Sequence, residues 1–144
     1  MKEFEKDYAE FEEIKKMFDS AGDGQEKDVA RLHYKEWSEG ITAKGQDYAT
    51  FFRFYQDARE NGKEDIDLHD TLRDEMIEGL VASFRKYGVQ KFTFSSTCSS
   101  AVKTAWLFTR CGCRAEGMME VNSSYTKPLS SEREKIPAFV FRII

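Results

Sequence analysis

Apolar residues recur along the first part of the chain with the rhythm of helices. Phe4, Tyr8, Phe11, Ile14 and Phe18 follow at steps of four, three, three and four, with Glu and Lys between them. That is the apolar stripe of an amphipathic helix. Ser20-Ala-Gly-Asp-Gly24 interrupts it, because two glycines and an aspartate favour a turn. A second helix is expected over residues 26–38, burying Val29, Leu32 and Trp37 before Gly40. A third is expected from Ala43 or Asp47 to Glu60, with Tyr48, Phe51, Phe52, Tyr55 and Ala58 along one side. Asn61-Gly62 ends it, glycine being suited to the left-handed position after a helix. In the fourth, Asp70 is placed as N-cap, Asp74 and Glu75 favour the positive end of the dipole, and Leu72, Met76, Leu80, Val81 and Phe84 are the buried stripe. Gly88-Val89 reads as a Schellman stop.

The period changes after Gly88. Lys91-Phe-Thr-Phe-Ser95 alternates with period two and predicts a short strand. Ser96 to Ser100 is a polar turn, followed by a helix to Cys111 that buries Val102, Ala105, Trp106 and Thr109. Residues 113–122 form a longer strand, with Ala115, Met119 and Val121 inward. After a polar loop, Ile136 to Ile144 is the last strand. Pro137 cannot donate to a ladder, so this strand should begin at an edge or outside the sheet. The expected fold is α+β: N-terminal helices, then a β-α-β-β unit forming a small three-stranded mixed sheet covered by helices. A helical crossover makes the first two strands parallel neighbours, and the third returns antiparallel to the second. The run Glu64-Asp65-Ile66-Asp67 is expected to be a solvated loop. With Asp70 it could hold a cation, but it lacks the glycine and terminal glutamate of an EF-hand loop.

At 144 residues the chain fits one domain, read as an added N-terminal helix and loop (1–24), a helical half (25–87) and a β-α-β-β half (88–144). An aromatic share of 14 % supplies a core without metal or disulfide staples. The opening MKEFEKDYAEFEE has no apolar run of a secretory leader, and no stretch approaches the roughly 20 apolar residues of a bilayer span. Three cysteines, an odd number, read as reduced thiols, so a cytoplasmic protein is expected. Cys111 and Cys113 are one residue apart with no second pair, so no metal and no cofactor are expected. The net charge of −4 divides into −5 over residues 1–30, −3 over 31–87 and +4 over 88–144. An acidic helical half argues against broad phosphate-backbone binding.

The stretch that could carry chemistry is Ser95-Ser-Thr-Cys-Ser-Ser100, between a strand's end and a helix start, with Lys103 one turn on. Backbone N–H groups at such a place attract anions. Ser96, Thr97, Ser99, Ser100 and Lys103 are therefore candidate anion-binding residues, and Cys98 is a candidate nucleophile. Ser and Thr are also preferred N-caps, so the same hydroxyls could serve only as caps. A cysteine nucleophile wants a base, and the two histidines, His33 and His69, lie far off in sequence. Aromatics nearly encircle the third helix. Phe51, Phe54 and Tyr55 are candidate partner-surface residues wherever they stay exposed.

Three stretches resemble a family of small uncharacterised bacterial proteins met in genomes and mobile elements of anaerobes. They are Phe92-Thr-Phe-Ser-Ser-Thr97 continuing to Trp106, Gly112-Cys-Arg-Ala-Glu-Gly-Met-Met-Glu-Val-Asn122, and Glu134-Lys-Ile-Pro-Ala138. The likeness covers about residues 37–144. It implies one folded C-terminal unit and a bacterial cytoplasm, and it carries over no catalytic residue. A mobile-element setting implies an interaction protein, such as an inhibitor of a host defence enzyme. The leading expectation is accordingly a non-enzymatic module that binds a protein partner. The alternative is a small ligand-binding domain or enzyme using the Ser95–Ser100 turn. Nucleic-acid binding through Lys91, Lys103, Arg110, Arg114 and Arg142 ranks third because the chain is acidic overall. Oligomeric state is not legible.

Overall fold

The computed structural model describes residues 2–69 and 72–144. In chain order these form α1 (Lys2–Ser20), α2 (Gly24–Ala43), α3 (Gln46–Glu60), β1 (Ile66–His69), a 3-10 turn (Asp74–Met76) running into α4 (Ile77–Lys86), β2 (Lys91–Ser95), α5 (Ala101–Arg110), β3 (Cys113–Thr126) and β4 (Arg133–Ile143). The class is α+β, with most helices preceding most strands. The expected N-cap Asp70 lies outside the described residues. The chain divides into two compact units, residues 1–53 and 54–144. Position 24 opens α2 inside the first unit, and position 87 caps α4 inside the second.

In the first unit Asp23 caps α2, its carboxylate accepting the Glu26 N–H at 2.7 Å, while Glu26 reaches back to the Gly22 N–H at 2.7 Å. The buried positions of α2 are Ala30 and Ile41, not Val29 and Leu32, which are 47 % and 56 % exposed. Polar anchoring accounts for the rotation. Trp37 Nε1 donates to the Asp7 carbonyl at 2.9 Å, and its ring stacks on Phe11 at 5.0 Å. The buried Asp7 carboxylate accepts from the Tyr48 hydroxyl and, at 2.8 Å, from Lys44 Nζ. Burial alone would lower the Lys44 pKa, but its bonds to Asp7 and Glu3 outweigh that and raise it.

Among the described residues of the second unit the sheet has four strands in the order β1-β2-β4-β3. The expected three-stranded sheet is thus corrected on two counts. Ile66–His69 is a strand rather than a loop, pairing parallel to β2 from Ile66↔Phe92 to His69↔Ser95. And β2 and β3 do not lie side by side, because β4 inserts between them, antiparallel to both. The parallel neighbours are joined across α4, not α5. Pro137 sits within the internal strand β4, opposite Glu120 of β3. Pairing with β2 begins only at Ala138, so its missing N–H falls beyond the end of that ladder.

The two faces of this sheet differ in chemistry. Phe92 and Phe141 face the two crossover helices, with Phe92 4.9 Å from Phe84 of α4 and 5.0 Å from Phe108 of α5. α5 buries Thr104, Ala105 and Phe108. Of the expected stripe Ala105 is buried, whereas Val102 and Trp106 are 73 % and 52 % exposed and Thr109 is exposed. Gly88, at φ 74°, stops α4 with the Val89 N–H on the Phe84 carbonyl (2.9 Å) and its own N–H on Arg85 (3.3 Å), which is the Schellman arrangement. Asp67, Thr93 and Ser95 point to the other face, and all three are buried.

Candidate functional site

The polar face is organised by the stop signal of α3. Gly62 adopts φ 70°, and the Lys63 N–H folds back to the Ala58 carbonyl at 2.8 Å. That turn sends the Lys63 side chain over β1, where Nζ donates to Asp67 Oδ2 at 2.8 Å. Asp67 also accepts from Thr93 Oγ1 at 2.5 Å and Ser95 Oγ at 3.0 Å. A carboxylate with no exposed surface is thereby held by three donors, as burial of a charge requires. On the same side His69 Nε2 stands 3.4 Å from Asp57 Oδ2, and the Asn122 amide donates to the Asn61 carbonyl at 3.1 Å.

Beside this network a cleft of about 260 Å³ opens where β1 and β2 end, at His69 and Ser95. Lys63 is one of its walls, and Ser96 and Thr97 continue the rim along the strand-to-helix turn. Ser123 and Tyr125 of β3 and Glu134 and Ile136 of β4 complete it. The carboxyl ends of parallel strands are where open sheets place ligands. Its three serines have assigned polarity. Ser95 spends its proton on Asp67, whereas Ser96 Oγ accepts the Cys98 N–H and Ser123 Oγ accepts the Tyr125 N–H, each at 3.1 Å. A second cavity of about 300 Å³ lies across Lys63, lined in part by Asp65, Thr93, Asn122 and Lys135. Burial pushes the Asp65 carboxyl up, and nearby Lys91 offsets part of that.

The expected anion-binding set is divided by the fold. Ser96 and Thr97 join the cleft, while Ser99 and Ser100 are exposed at the start of α5. Lys103 turns to Asp74 at 2.8 Å, a hydrogen bond that raises its pKa. Ser100 occupies the N-cap of α5 without a side-chain capping bond. Cys98 is exposed on the turn and is not among the cleft's lining residues. Of the expected partner surface, Phe51 and Tyr55 are 5 % and 4 % exposed, so for these two the reading is corrected, their rings packing inward, while Phe54 is half-buried. Among the described residues, no three of His, Cys, Asp and Glu gather to hold a metal, and no helix is long and apolar enough to cross a membrane.

Sequence reasoning missed Lys63, His69, Ser123 and Tyr125. The one local signal for them was a lysine placed directly after the Asn61-Gly62 helix stop.

No curated protein matches the chain. No solved structure matches it either. Residues 50–143, which take in nearly all of the second unit and well over half the chain, match one family. The chain belongs to that family, described as Domain of unknown function (DUF7698).

Proposed function

We propose that the second unit is a small-ligand-binding domain whose site is the cleft at the ends of β1 and β2. One observation carries the reading: serine, threonine, tyrosine and histidine residues, contributed by β1, β2, the following turn and β3, line a single concavity of about 260 Å³. Apolar cores do not gather hydroxyl-bearing residues around an open cavity, whereas ligand sites place a few convergent polar groups in a concave surface. The buried Lys63–Asp67 pair braces the floor, so the groups around it are held before a ligand arrives.

The test is a melting-temperature screen of the full chain against polar metabolites, since binding to the native state raises Tm. A compound that stabilises the wild type should lose its effect in Thr97→Val and Ser123→Ala. Failure of every compound, or equal stabilisation of these variants, would refute the reading.

A second reading, that of an interaction protein such as a mobile-element inhibitor, is favoured by one observation. Val102 and Trp106 stand one helical turn apart on α5 and are 73 % and 52 % exposed. Tryptophan dominates binding hot spots. Its test is loss of capture of a purified partner by Val102→Ser and Trp106→Ser, with Tm unchanged.

A further inference from the structure

The polarity of the cleft's hydrogen-bonding groups selects a ligand class. An oxyanion such as phosphate or carboxylate only accepts hydrogen bonds, and on burial it is held best beside an uncompensated positive charge. The cleft does not offer one. Lys63 is neutralised by Asp67 at 2.8 Å, His69 stands beside Asp57, and Glu134 adds negative charge to the wall.

Its donors and acceptors are mixed. With its proton on Asp67, Ser95 can only accept from a ligand. The Ser96 and Ser123 oxygens already accept backbone N–H bonds, so their O–H groups are left to donate. Glu134 accepts. Lys63, whose side chain is 8 % exposed, gives one of its three ammonium protons to Asp67 and lines the cavities on both of its sides. A group that both donates and accepts, with no charge of its own, satisfies this set. A hydroxyl does so, and a chain of hydroxyls does so repeatedly.

Two apolar features complete the match. Tyr125 is 70 % exposed at the cleft wall, and Ile136 of β4 lies in the same lining. An open ring at the edge of a hydroxyl-lined cleft suits the flat C–H face of a pyranose. We propose that the cleft binds a neutral sugar. The neighbouring cavity shares Lys63 as a wall, so that a second sugar unit has a place beside Thr93, Asn122 and Lys135. The proposal rests on the cleft being a ligand site at all.

The experiment is an amide-resolved NMR titration of the ¹⁵N-labelled full chain. The probes are maltotriose, cellotriose and chitotriose, with inorganic phosphate, AMP and a blocked triglycine as the other arms. At least one trisaccharide should shift the amides of Ser95, Ser96, Thr97 and Tyr125 saturably, and bind more tightly than its monosaccharide. Tyr125→Ala should weaken that binding about tenfold with Tm unchanged. Shifts at these amides from phosphate, AMP or the peptide but from no sugar would overturn the ligand class and leave the ligand site standing. Sugar-induced shifts elsewhere in the chain would overturn the assignment to this cleft. No shift at these residues from any probe would overturn both the class and the site.

Discussion

Lys63 Nζ meets Asp67 Oδ2 at 2.8 Å, with side chains 8 % and 0 % exposed. A pair this deep is held because each partner cancels the other's desolvation cost, and removing one leaves a buried charge alone. Asp67→Asn and Lys63→Met should each destabilise the fold by about 3–5 kcal/mol. The double variant Lys63→Met/Asp67→Leu should cost clearly less than the two singles together. Urea unfolding of the four proteins measures this coupling, and additive losses would show that the pair does not act as a unit.

The apolar face makes the complementary case. Phe108 is fully buried against Phe92 and Phe141, while Trp106, two residues earlier on α5, is half exposed. Phe108→Ala should cost about 3–5 kcal/mol. Trp106→Ser should stay within about 0.5 kcal/mol of wild type. Sequence pattern alone gave the opposite ranking, so denaturant midpoints for these two variants decide between the two faces of the helix.

How far the fold was legible follows from where each determinant lies. The stripes of α1 and α3 and the glycine stops at Gly62 and Gly88 are local, within a turn or two, and a single sequence displays them. β1 was hidden because Glu64-Asp65-Ile66-Asp67 looks like solvated acid. What turns it into a strand is the partnership of Asp67 with Thr93 and Ser95, 26 and 28 residues away. On α5 the sets Val102/Ala105/Trp106/Thr109 and Thr104/Ala105/Phe108 both have helical spacing and share Ala105, so the pattern alone does not choose between them. The insertion of β4 between β2 and β3 leaves no local trace, since either strand order suits the same alternation. The site was half legible for the same reason. The Ser96–Thr97 turn is a contiguous string and Lys63 follows a local helix stop, whereas His69, Ser123 and Tyr125 reach the cleft only through the sheet order.

The α5–β3 corner carries a steric prediction. Gly112 has φ 90°, and a Cβ built there would lie 2.6 Å from Arg85 Nη2, which donates to the Cys111 carbonyl at 3.1 Å. Gly117, at the β3 bulge, has φ 136° but open space around a Cβ. Both Gly→Ala changes incur a backbone cost of about 1–2 kcal/mol. Gly112→Ala should lose more than Gly117→Ala because it also displaces the arginine. An Arg85→Ala background should bring the two losses together, as read from thermal unfolding midpoints.

The cysteines differ in a way that pH reveals. Burial pushes the Cys113 thiol up from its ordinary 9.0 to about 11, with Arg85 pulling weakly the other way. In the unfolded chain this thiol ionises near 9, whereas in the native chain it keeps its proton to about 11. Between those values the unfolded state binds fewer protons than the native state, so stability falls as pH rises through that window. Cys113→Ala should flatten that part of the stability profile, measured against wild type by urea unfolding from pH 8 to 11. Thiol labelling at pH 8 gives an independent readout: Cys98, exposed on the turn, should react at once, and Cys113 only as the chain unfolds. Prompt labelling of Cys113 in the native protein would mean that the β3 end of the sheet opens without global unfolding.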